Sequence, residues 1–175
     1  MTILNILKYP EKSLGESSLI IKRINNEIKV LVDNMAETMV SSQGIGLAAP
    51  QVGINKRVII YNPCVYKSDD NKIIEKAQEF KAIINPEIIS SQGSVISRKE
   101  ACLSVPDYNS DVKRFEKITI KGLNIDEQKI QFNAEGIQAV IIQHEIDHLN
   151  GILFIDRISL LKRRLYIKKV KKIAQ

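Results

Sequence analysis

The stretch Asn133-Ala134-Glu135-Gly136-Ile137-Gln138-Ala139-Val140-Ile141-Ile142-Gln143-His144-Glu145-Ile146-Asp147-His148-Leu149-Asn150-Gly151 decides how this chain is read. Ile137, Val140 and Ile141 recur at helical spacing, and His144 and His148 continue the same stripe. Gly151 stands where left-handed backbone closes a helix, so the spacing predicts a helix over 133–150 with both histidines turned inward. They are the only two histidines in the chain. The embedded H-E-x-x-H sets two imidazoles one turn apart on one face, close enough to share a metal ion, with Glu145 beside them. In a metal hydrolase the ion acidifies a bound water, which becomes the nucleophile, and the adjacent carboxylate takes its proton. The competing reading is a pair of satisfied core histidines and an exposed helix glutamate.

Catalytic sites of this kind take a third protein ligand and leave one position open. Position 154 is Phe, which excludes the H-E-x-x-H-x-x-G-x-x-H pattern, and no Glu follows Glu145 to serve as a downstream carboxylate ligand. The ligand is therefore sought upstream, where Cys64 and Cys102 are the candidates, because a thiolate binds a transition metal well. Those two cysteines with the two histidines also compose a structural zinc site in a basic RNA-binding protein. Against that reading, the cysteines lie 38 positions apart rather than in a close pair, and Glu145 is left without a task.

Upstream, Ile28, Leu31, Val32, Met35 and Met39 predict a first helix over 27–41 behind a cap at Asn25 or Asn26. The glycine-rich run 41–53 reads as a tight loop. Strands are expected at 57–61 and 82–84, an exposed excursion at 67–79, further β-branched segments at 88–89 and 94–97, and a hairpin from 117–121 to 129–132. Helices at both ends with hairpins between them predict an α+β fold with mainly antiparallel sheets, in a single domain over 1–175.

At 44% hydrophobic and 26% charged residues, the composition excludes a disordered or low-complexity chain. Two distant cysteines exclude a disulfide scaffold and suit reduced thiols. No apolar run reaches the roughly 18 residues of a spanning helix, and no secretory segment opens the chain, so a cytoplasmic protein without membrane contact is expected. The net charge of +6 is localised: Arg157 to Gln175 holds eight basic residues and no acidic one, which leaves 18 basic against 20 acidic in the body. The body is thus no polyanion-binding surface, and sequence-specific nucleic-acid binding is not expected. The tail is predicted to form an amphipathic basic helix near 157–173, with Ile158, Leu161, Leu165, Tyr166, Val170 and Ile173 on its apolar side.

Three segments together, Gly44-Ile45-Gly46-Leu47-Ala48-Ala49-Pro50-Gln51, Glu100-Ala101-Cys102-Leu103-Ser104 and Gln143 to Gly151, resemble the motifs of the peptide deformylases in order and spacing. The resemblance spans nearly the whole chain. It implies a central metal-binding helix flanked by antiparallel sheets, and removal of the formyl group from the N-terminal formylmethionine of nascent polypeptides with release of formate. It further implies that Cys102, His144 and His148 bind one divalent metal ion, ferrous iron foremost, with nickel, cobalt or zinc compatible. Glu145 is then the general acid and base, and Gln51 with the Leu103 backbone amide stabilises the oxyanion. Gly44, Ile45 and Gly46 would lie against an extended substrate, and Ile137, Val140 and Ile141 would line the methionine pocket. By the same resemblance, the basic C-terminal helix is a candidate for ribosome association. The chain departs from the family pattern at Ala101, where Gly is usual, at Arg98, often apolar, and at Asn109, where many relatives carry Arg. An Ala at a position requiring positive φ would cost roughly 1–2 kcal/mol, and a cleft remodelled at these three positions would suit another N-acyl group.

Overall fold

The computed structural model describes residues 2–68, 73–75 and 79–173. Helix α1 spans Asn26–Ser41, and the side chain of Asn25 caps it by accepting the Ile28 N–H. Strands follow as β1 (Gly46–Ala48), β2 (Val58–Tyr61), β3 (Val65–Lys67), β4 (Ile73–Glu75), β5 (Lys81–Gln92), β6 (Val95–Cys102), β7 (Val105–Arg114), β8 (Lys117–Leu123) and β9 (Lys129–Glu135). Helix α2 covers Gly136–Leu149 and helix α3 Leu160–Ile173. This is the expected antiparallel α+β architecture.

Five strands form one antiparallel sheet in the order β1-β2-β5-β8-β9, and β6 pairs with β7 in a separate two-stranded sheet. Alternation along β2 explains the layering. Ile59 and Tyr61 face Ile141, Ile142, Ile146 and Leu149 of α2, whereas Val58 and Ile60 face Val32, Met35 and Met39 of α1. A third cluster joins Val105 and Val112 of β7 to Phe154, Ile155 and Tyr166.

Several boundaries differ from the sequence reading. Asn133 belongs to β9, and α2 begins at Gly136, whose φ of 57° makes the turn between strand and helix. Part of the glycine-rich loop pairs with β2 as β1. Strand β5 continues through Asn85-Pro86, because a register shift absorbs the proline and Asn85 takes a φ of 51°. The excursion at 67–79 contains β4, which pairs with β3; 69–72 and 76–78 lie outside the described residues. The tail helix starts at Leu160, later than expected. Its apolar stripe divides: Tyr166 is buried against Tyr9 and Tyr108, while Leu161 and Leu165 are exposed.

Candidate metal centre and active site

Every residue of α2 from Ala139 to Leu149 is buried, so the helix carries its polar groups into the interior and each must find a partner or a ligand. Cys102 ends β6, and a two-residue turn, Leu103-Ser104, returns the chain to Val105. This turn brings the thiol over α2. The ligand atoms of Cys102, His144 and His148 lie within 4.8 Å of one another, and Cys102 Sγ is 3.1 Å from His148 Nε2. Among the described residues Cys64 is not part of this group, which removes the four-ligand zinc reading. One thiolate and two imidazoles fit a divalent transition metal.

The imidazole of His144 is oriented from behind. Its Nδ1 lies 2.8 Å from Glu100 Oε1, which leaves Nε2 toward the thiol. Glu100 is gripped by Arg114 through Nη2 at 2.5 Å and Nε at 3.2 Å. Arg114 Nη1 reaches Asp147 Oδ2 at 2.5 Å, and Asp147 also accepts from Arg157. Burial alone would raise the Glu100 pKa, but hydrogen bonds from His144 and Arg114 prevail and hold it at about 2. Burial opposes charge on His144, yet its bonds to Cys102 and Glu100 raise it well above the ordinary value. Burial and the neighbouring His144 push His148 well below its own, leaving a neutral imidazole with a lone pair to donate.

Glu145, 4% exposed, is pushed up to about 7, chiefly by burial, and its Oε2 is buried without a hydrogen-bond partner. The exposed-glutamate reading is thereby excluded. Gln51, in the short turn after β1, is 2% exposed. Its Oε1 accepts from the Ala48 N–H at 2.8 Å, and its Nε2 points at Ser104 Oγ (3.2 Å) and Cys102 Sγ (3.5 Å). The amide is thus locked with its donor side toward the metal ligands.

A cavity of about 460 Å³ opens beside this group, lined by Gly44, Ile45, Gly46, Gln51, Leu103, Ile137, Val140, Ile141, His144 and Glu145. All the residues anticipated from the sequence meet there except His148, which is 1% exposed beneath Cys102. Gly46 has a different reason to lack a side chain than backbone access. A Cβ there would fall on the Glu145 carboxylate and within 3.0 Å of Ile141 Cγ2. At Gly44 a Cβ would come within 3.1 Å of Leu103 Cδ1. A larger cavity of about 830 Å³ lies on the opposite side of α2, against Arg57, Asp147 and Arg157, away from the thiol.

Sequence reasoning missed Arg114 and Asp147. Asp147 fills a variable position of H-E-x-x-H and Arg114 ends a strand with no motif, so neither carried a signal; Glu100 stood in a quoted motif without a role. Ile73, which also lines the cavity, belonged to the excursion read only as exposed. Ala101 is not among the left-handed residues of the described chain, so its expected strain does not arise; Lys99, with φ of 51°, takes that conformation. Asn109 pairs with Ala101 across the hairpin and does not line the cavity.

Residues 3–164 match the family described as polypeptide deformylase. The peptide deformylase of Thermodesulfovibrio yellowstonii is 46% identical over 98% of this chain and 98% of its own. A crystal structure of the Ehrlichia chaffeensis peptide deformylase in complex with actinonin superposes with a TM-score of 0.86 at 39% identity, covering 98% of each chain. A Met-Ala-Ser-bound structure of the Acinetobacter baumannii enzyme gives 0.81 at 34% identity over 90% of this chain and 99% of that one. With the thiolate-histidine group and its buried glutamate in place, the chain belongs to the polypeptide deformylase family, metal-dependent hydrolases that remove the N-formyl group from nascent peptides.

Proposed function

We propose that residues 1–175 act as one catalytic domain on peptides beginning with formylmethionine, with Cys102, His144 and His148 holding a single divalent ion, ferrous iron foremost. Nickel, cobalt and zinc suit the same donors. The observation that carries the reading is the unpartnered Glu145 Oε2 on the wall of a cavity lined also by Cys102 and His144, two of the three residues whose ligand atoms converge. Bound there, such an ion supplies Lewis acidity and an acidified water.

The chain's own residues do the rest. Glu145 Oε2 takes the proton from the attacking water and delivers it to the departing amide nitrogen, so the amine leaves neutral. Gln51 Nε2 and the Leu103 backbone amide donate to the formyl oxygen as it gains charge, each worth about 3 kcal/mol. Gln51 is suited to this because Ala48 already fixes its carbonyl end. Ile137, Val140 and Ile141 present an apolar wall to the methionine side chain. The backbone of the substrate fits between two sheets. Among the described residues β1 ends the five-stranded order and β6 has β7 as its one strand partner, so both offer an open edge to an extended peptide. The Met-Ala-Ser bound by the Acinetobacter enzyme is a ligand of that length class.

Among the described residues, no helix is long and apolar enough to cross a membrane. A cytoplasmic setting suits a thiolate that binds a metal, and both cysteines are free. The exposed Lys162, Arg164, Lys168 and Lys169 of α3 suit docking on ribosomal RNA, where formylated chains emerge.

The test is formate release from formyl-Met-Ala-Ser by iron- or nickel-loaded protein under anaerobic conditions, beside Glu145→Ala. Turnover that vanishes in the variant while metal stays bound is expected. A wild-type protein holding one metal ion per chain and releasing no formate would overturn the proposal.

A further inference from the structure

The rim of the cleft carries two cations that the reaction does not use. The β6–β7 register slips between Ser97 and Glu100, and Lys99 takes its left-handed φ inside that slip. A regular strand alternates its faces, whereas this bulge turns two consecutive side chains, Arg98 and Lys99, to the exposed side. The backbone amide of Lys99 donates to Asp111 Oδ1 at 2.9 Å and fixes the bulge. Both residues line the 460 Å³ cavity.

Among the described residues neither head group forms an ion pair. Among the described residues the carboxylates on the cavity wall are Glu100 and Glu145; the first is held by Arg114 and His144, and the second is buried. A rise of at most about 3.3 Å per residue, shortened by the bulge, sets Lys99 and Arg98 within about 10 and 13 Å of Cys102 along the strand. An extended peptide whose formyl group lies at the metal ligands covers those distances with its third and fourth residues.

We propose that Arg98 and Lys99 select formylated peptides carrying Asp or Glu at the third and fourth residues. The inference rests on the deformylase reading above and adds a substrate class to it. Ion pairs so far from the scissile bond form equally in the ground and transition states, so the selection acts on KM and leaves kcat alone.

The experiment compares formyl-Met-Ala-Asp-Asp, formyl-Met-Ala-Ser-Ser and formyl-Met-Ala-Lys-Lys, all amidated, on metal-loaded protein at low salt and at about 0.5 M ionic strength. The acidic peptide is expected to exceed the basic one in kcat/KM by roughly tenfold at low salt, as two exposed pairs allow, with the gap closing at high salt. The order should invert in the double variant Arg98→Glu/Lys99→Asn, Asn being tolerant of the left-handed backbone; Arg98→Glu alone should narrow the gap. Equal kcat/KM for the three peptides, or an acidic preference unchanged in both variants, would overturn the inference while leaving the deformylase reading standing. Absence of formate from all three peptides overturns that reading and this inference together.

Discussion

Glu100 Oε1 stands 2.8 Å from His144 Nδ1, and this carboxylate fixes which imidazole nitrogen is left to bind a metal. Glu100→Gln keeps the shape and removes the charge. Metal retention should fall about 10- to 100-fold, as measured by competition with a chromogenic chelator.

The same carboxylate shapes the acid stability of the metal-free protein. Glu100 is depressed to about 2 from an ordinary 4.5, so its contribution is complete above pH 4.5 and is lost as pH falls toward 2. Glu145 is raised to about 7 and acts in the opposite sense: its burial penalises folding above pH 7, and the penalty lifts as pH falls from 7 to 4.5. His144 and His148 titrate in the same range, so each carboxyl's share is read as a difference between variant and parent in chemical denaturation of chelator-treated protein. Glu145→Gln should remove this carboxyl's loss of stability between pH 4.5 and 7, and Glu100→Gln should remove its loss between pH 4.5 and 2.

Arg114 neutralises both Glu100 and Asp147 in the interior. Arg114→Met leaves Glu100 with His144 alone and Asp147 with the partly exposed Arg157. A loss of about 3–5 kcal/mol is expected by urea denaturation, since a broken buried pair costs more than the pair contributed.

Gly46→Ala places a methyl where the Glu145 carboxylate now lies. The carboxylate must swing aside, so kcat should drop roughly 10- to 100-fold with metal content unchanged, a displacement of about 1 Å being enough for that loss.

On α3, Tyr166 supplies the anchor and Lys162, Lys168 and Lys169 face outward. Tyr166→Ala should cost about 3 kcal/mol in thermal unfolding. Lys162→Glu with Lys168→Glu and Lys169→Glu should leave folding and tripeptide turnover intact and reduce co-sedimentation with ribosomes. Unchanged co-sedimentation in that triple variant would refute the docking role.

The parts of the fold legible in the sequence are those where one local rule acts alone. The period of Ile28, Val32, Met35 and Met39 gave α1, and the alternation around Lys117 and Phe132 gave the β8–β9 hairpin. β7 escaped because Pro106, Asp107, Asn109 and Asp111 break any alternating apolar run, and its pairing is set by packing on β6. Strand β5 was cut at Pro86 because the bulge that tolerates a proline depends on β8 across the sheet. The metal ligands were legible because their chemistry restricts residue type and spacing. The ion-pair chain behind them was not, because Arg114 meets Asp147 only after two sheets and a helix have packed.

Complete burial of α2 from Ala139 to Leu149 has a consequence for how the protein fails. A helix segment buried along this whole length is not expected to fray ahead of the rest, and its amide hydrogens should exchange only when the core opens. Deuterium uptake across 140–149 should therefore be slow and uniform, and heating should abolish activity in the same cooperative step that melts the tertiary structure.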